Sequence, residues 1–157
     1  MSADVAAYAD GLRLPNQLLE LIEAGNWPRD SKEERRQNLG SHVSIESVQQ
    51  LAAEESYGIY LLSPPFRTVR RRVEHGEKFW LTKVAAPSEI DFEQSVVIAD
   101  FGPGSDAPVL LDYSNASDNP RVMRLRWGEQ RDNHWVVMTE TFAAFADALA
   151  LGTVRFT

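Results

Sequence analysis

The stretch RVMRLRWGEQRDNHWVVMTETFAAFADALALG, residues 121–152, decides the fold class. Its period changes partway along. Met123, Leu125 and Trp127 alternate with Arg124 and Arg126, the period of two expected of a half-buried strand. Trp135-Val136-Val137-Met138 reads as the next strand, and the polar run from Gly128 to Asn133 suits a hairpin between them. Phe142, Phe145, Ala146 and Leu149 then recur at the spacing of one helix face. Thr139 or Thr141 caps that helix and Gly152 ends it. Paired strands followed directly by a helix exclude an all-helical or all-β chain.

Working upstream, Val96-Val97-Ile98-Ala99 and Val109-Leu110-Leu111 are two short apolar runs that read as strands. Before them, Thr68 to His75 reads as a short helix with Val69 and Val73 one turn apart, capped by Gly76. Phe79 and Trp80 follow as buried anchors. Ile59-Tyr60-Leu61-Leu62 is a strand that Ser63-Pro64-Pro65 must end, since proline cannot donate to a ladder. Ser44 caps a helix whose face is Ile45, Val48, Leu51 and Ala52, ending at Gly58. Lys32–Gln37 suits one helical turn. Leu14-Pro15 opens the first helix, with Leu18, Leu19 and Ile22 on one face, Gly25 as its stop and Trp27 anchoring the loop beyond. The order α, α, β, α, β, β, β, β, α predicts an α+β domain. Its sheet is mainly antiparallel or mixed, with helices packed on one face and a closing C-terminal helix.

Length and composition narrow the functions. A chain of 157 residues suits a single domain, residues 1–157, and 43% hydrophobic content is enough for a core. No cysteine is present, which removes disulfides, thiolate metal sites and a cysteine nucleophile. The N-terminus lacks a basic then apolar leader, and no apolar run is long enough to span a bilayer, so a cytoplasmic protein without membrane contact is expected.

The net charge is −7. Such a surface repels phosphate backbones and attracts basic proteins, so direct nucleic-acid binding is not expected. One basic patch, Arg67 with Arg70-Arg71-Arg72, interrupts the acidic chain. It reads as a solvated helix face paired with Glu74 and Glu77.

Chemistry-bearing residues gather in Asp100-Phe101-Gly102-Pro103-Gly104-Ser105-Asp106-Ala107-Pro108, with Asp112 and Tyr113 just beyond. Clustered carboxylates suit a hard cation, yet the spacing is not that of an EF-hand loop. The same residues suit a wide turn whose aspartates bond their own backbone. Asp100-Phe101-Gly102 spells a kinase tripeptide, but no catalytic or phosphate-binding loop precedes it. Gly102-Pro103-Gly104 lacks the third glycine of a dinucleotide fingerprint. His42, His75 and His134 show no metal-ligand spacing and no neighbouring nucleophile motif. The residues alone thus point to a binding domain, with no catalytic, metal or cofactor residues assigned.

Several segments together resemble the SUKH superfamily, which includes a yeast regulator of cell-wall synthesis and bacterial toxin-immunity proteins. They are Leu14-Pro15 through Gly25-Asn26-Trp27-Pro28, Ser63-Pro64-Pro65-Phe66-Arg67-Thr68-Val69 and the run from Val97 to Tyr113. To these are added Pro120-Arg121-Val122, Trp127, Trp135 and Thr141-Phe142-Ala143-Ala144-Phe145. The resemblance covers residues 12–151. It implies an α+β fold without cofactor or catalysis, and a protein toxin domain, a basic nuclease for example, as the partner. Asp100, Asp106, Asp112 and Tyr113 are the expected partner-binding residues. Two alternatives stay open: an intracellular adaptor binding a host protein, and a small divalent-metal hydrolase built on the aspartates.

Overall fold

The computed structural model describes residues 7–35, 59–101, 107–115 and 118–156. Its first element is a hairpin of β1 (Tyr8–Ala9) and β2 (Leu12–Arg13), joined by Asp10-Gly11. Both turn residues have positive φ, 50° and 90°, so this is the turn whose twist matches a two-residue hairpin. The sequence reading places its first element later, at Leu14-Pro15, and overlooks this Asp-Gly signal.

Helix α1 (Asn16–Glu23) follows, with Leu18, Leu21 and Ile22 buried and Leu19 only partly so. Its end is a Schellman motif: Asn26 N–H donates to the Leu21 carbonyl and Gly25 N–H to that of Ile22, with Gly25 at φ 81°. Trp27 is fully buried against the rings of Phe66 and Phe142, and its indole N–H donates to the Leu62 carbonyl. Helix α2 (Ser31–Arg35) falls on the expected turn at Lys32–Gln37, whose last two residues lie outside the described residues. The helix expected from Ser44 to Gly58 lies outside the described residues.

Among the described residues the main sheet has five strands in the order β3 (Tyr60–Leu61), β4 (Ser95–Asp100), β5 (Pro108–Asp112), β6 (Arg121–Arg126) and β7 (His134–Thr139). Every pairing is antiparallel, so the molecule is α+β with a purely antiparallel main sheet. The register shifts by one residue at Ile98 on β4 and at Met138 on β7. At the first of these, Ile98 and Ala99 turn to the same core, as an inserted residue requires.

That core contains Val96, Ile98, Val109, Leu111 and Val122 from the sheet, covered by α1 and the closing helix α4 (Phe142–Ala148). The opposite face is covered too. There Val97, Leu110, Met123, Leu125 and Trp135 pack under α3 (Val69–Glu74) and a strap of short 3₁₀ turns at Lys78–Leu81, Lys83–Ala85 and Pro87–Glu89. Helices on one face therefore describes α1 and α4, while α3 and the strap close the second face. Trp80 and Trp135 stack there, 6.1 Å apart and 12° from parallel.

Burial on both faces corrects the reading of β6 as half-buried. Arg124 does not face solvent; it is 2% exposed, with its guanidinium 5.7 Å from the Phe101 ring centre. Burial, with Arg126 nearby, pulls its pKa down to about 10. Trp127, one step past the strand, packs with the first core rather than beside Met123 and Leu125.

Caps fall as the chemistry asks. The Thr68 hydroxyl accepts from Arg71 N–H and the Thr141 hydroxyl from Ala144 N–H. The last helix stops earlier than Gly152, because Ala150 takes the left-handed conformation and Gly152 enters a further 3₁₀ turn. Phe156 N–H and Asn26 Nδ2–H then stitch the C-terminal tail to the end of α1, donating to the Gly25 and Val154 carbonyls.

Two substitutions probe this frame. Leu111→Ala empties fully buried space and should cost about 2–5 kcal/mol in urea unfolding. At Gly128 an added Cβ would lie 2.3 Å from the Asp132 carbonyl oxygen, so Gly128→Ala should cost about 1–3 kcal/mol. A Gly128→Ala midpoint equal to that of the wild type would refute the close approach.

Candidate functional site

Asp100 and Asp112 do not come together. Asp100 ends β4 opposite Pro108, whereas Asp112 ends β5 opposite Ser95. The two carboxylates thus sit at opposite ends of one antiparallel pair, roughly 15 Å apart at the rise of a strand. Cation ligands lie about 2.3–2.6 Å from a shared ion, so Asp100 and Asp112 cannot hold one together. Asp106 lies outside the described residues. Among the described residues no group of three His, Asp or Glu side chains could hold a metal ion.

Each described member has work within the fold. Asp100 is partly buried and accepts from Ala107 N–H at 3.2 Å, tying the chain where it enters β5. Asp112 is buried and accepts from Arg121 Nη2 at 2.6 Å and from the Ser114 hydroxyl and N–H at 2.7 and 3.0 Å. Burial alone would raise its pKa, but Arg121 and Ser114 outweigh that and leave the carboxyl below its ordinary value. Tyr113 is buried and donates to the Arg13 carbonyl at 2.7 Å, and burial pushes its phenol well above the ordinary value. Asp112 and Tyr113 thus clamp the β5–β6 connection and the first hairpin.

Polar side chains do converge elsewhere. Asp10, Thr68, Arg70, Arg71, Glu74 and Glu93 line a groove of about 170 Å³ between the first hairpin and the N-terminus of α3. The Asp10 carboxylate accepts from the Thr68 N–H and hydroxyl, and from Arg71 Nε at 3.4 Å. Burial opposes ionisation of Asp10, but Thr68 and Arg71 win and hold its pKa low. The basic patch is paired as the sequence suggests: Arg71 with Glu74, Arg72 with Glu77, and Arg70 above the Phe92 ring. A space this size falls below the range of small-molecule pockets, about 300–1,000 Å³, and suits a side chain of a partner.

Beside the groove runs an acidic ridge that the sequence reading passed over. Glu89, Asp91 and Glu93 are exposed, and they alternate with Ile90 and Phe92, which pack on the second core. From Val84 to Gln94 there is no basic residue, although Glu89 faces His134 and Glu93 shares the groove with Arg70 and Arg71. The legible signal was the alternation in Ser88-Glu89-Ile90-Asp91-Phe92-Glu93. Of the histidines, His75 is the exposed cap of α3, His134 is exposed at the start of β7, and His42 lies outside the described residues.

No helix among the described residues is long and apolar enough to cross a membrane. No family model matches the chain, and neither a curated protein nor a solved structure matches it.

Asp112→Asn removes the charge facing Arg121 and should cost about 2 kcal/mol near neutral pH. Because the native pKa of Asp112 lies below its ordinary value, this contribution is present above that ordinary value. It fades as the pH falls through the native one. Urea unfolding of both proteins across the acid range should show the gap closing on acidification; a constant gap would contradict the assignment.

Proposed function

We propose that this chain is a non-catalytic cytoplasmic binding protein that occupies and neutralises a toxin domain, as immunity proteins do. The observation that carries the reading is the exposed pair Asp91 and Glu93, which directly follow a strap that Glu89 pins to the sheet. A fixed row of carboxylates is attractive to a cationic surface and loses little freedom when covered. A basic nuclease offers such a surface in its nucleic-acid groove. The net charge of −7 favours the same encounter at long range. The resemblance of Ser63–Val69 and Val97–Tyr113 to SUKH proteins supports the same class. Burial of Asp112 and Tyr113 shifts the proposed contact away from them, toward the ridge and the half-buried Asp100.

The test is co-expression with the toxin domain encoded next to the gene. The wild type should restore growth. The double reversal Asp91→Lys/Glu93→Lys should abolish rescue and weaken binding about tenfold or more at low salt. Glu23→Lys, exposed on α1, should leave rescue intact and serves as the charge control. Killing that the wild type fails to relieve would overturn the proposal and point to a host-protein adaptor. Rescue unaffected by the double reversal would remove the ridge from the interface.

A further inference from the structure

The strap meets the start of β7 through a compact set of polar contacts. Asn133 Nδ2–H donates to the Val84 carbonyl at 2.9 Å and the Trp135 indole N–H to the Ala85 carbonyl at 2.7 Å. The Glu89 carboxylate is shared: one oxygen accepts from Trp135 N–H at 2.8 Å and the other lies 2.7 Å from His134 Nδ1. On its far side, His134 Nε2 lies 3.3 Å from Asp132 Oδ1. The imidazole is thus set between two carboxylates from two different segments, the strap and the β6–β7 connector. Arg126 is the residue opposite it on β6.

β7 is an edge strand, so Trp135 N–H points away from the sheet and Glu89 takes the place of a neighbouring strand. The connector that aims Asp132 and His134 is itself tight: Gln130 and Arg131 both have positive φ, and Asn133 Oδ1 accepts from Gly128 N–H. The strap's own Trp80 and Ala85 are buried against the sheet, Trp80 stacked on Trp135. Release of Glu89 would therefore loosen the cover of the second core.

We propose that Glu89 latches the strap to the edge of the sheet and that protonation of His134 tightens this latch, making the strap sensitive to pH around neutrality. An imidazolium draws in both flanking carboxylates, whereas the neutral ring keeps only a hydrogen bond. The hydrogen bond and charge of Glu89, with Asp132 adding, raise the pKa of His134 above its ordinary value. The added stability is then complete below the ordinary imidazole value and is lost as the pH rises through the raised one. The latch concerns this chain alone and does not rest on the toxin-binding reading. It bears on that reading because Asp91 and Glu93 follow directly on the strap.

Native-state hydrogen exchange tests it. Protection factors, each referred to the intrinsic rate at the same pH, would be measured for Trp135, Glu89 and Ala86, with Leu110 in the central sheet as reference. Between about pH 8 and about pH 6, wild-type strap amides should gain roughly two- to fivefold protection while Leu110 stays constant. His134→Gln and Glu89→Gln should both show a flat profile with Leu110 unchanged; glutamine at 89 still offers an oxygen to Trp135 N–H. A wild-type strap insensitive to pH, or a His134→Gln strap that keeps the dependence, would overturn the proposal.

Discussion

Strands β4, β5 and β6 bury apolar side chains on both faces, and the rest of the molecule is arranged to cover them. Val109 and Leu111 face one core, and Leu110 between them faces the other. A sheet of this kind is stable only when each face excludes water, since every buried leucine or valine contributes about 1.5–3 kcal/mol. α1 and α4 supply one cover with two amphipathic helices. The other cover is less regular, a six-residue helix and a run of 3₁₀ turns, and it depends on specific polar contacts for its position.

Those contacts share a pattern: one side chain joins segments distant in sequence by satisfying backbone groups that would otherwise lie unpaired. Asp10 holds Thr68, Tyr113 holds Arg13, Trp27 holds Leu62, and Glu89 holds Trp135. An unsatisfied buried donor or acceptor costs about 1–3 kcal/mol, so such residues specify where loops go more than how tightly the core packs. Asp112 and Tyr113, expected as partner contacts from their clustering with Asp100 and Asp106, take part in such joints. Polar residues amid apolar strands mark either a site or a seam, and both of these lie at seams. Just past the strap, Ile90 and Phe92 pack on the second core while the Asp91 and Glu93 side chains are exposed.

Much of the frame was legible in the chain. The strand at β6, the aromatic face of α4 and its threonine cap rest on interactions within a few residues, and all appear in the structure, although β6 is buried on both faces. The 3₁₀ strap was not legible, because Lys78–Glu89 has no sustained period and its conformation is imposed by the sheet beneath. The ridge did carry a local signal, the alternation from Ser88 to Glu93, but it falls on no regular element. That Asp100 and Asp112 lie apart was not legible, because nearness in sequence is not nearness across an antiparallel pair, where the length of β5 separates the ends.

By itself the amino-acid order determined the class of the fold, since hydrophobic periodicity, turn residues and caps act locally and need no distant partner. It also determined the acidic balance, and with it the kind of surface a partner would meet. Only the tertiary structure decided which residues face inward on a doubly covered sheet. Arg124 is the clearest case: its alternation with Met123 and Leu125 read as exposure, yet its side chain is buried over the Phe101 ring, on the face covered by α1 and α4. Burial is a property of what packs on top, and what packs on top of β6 comes from elsewhere in the chain.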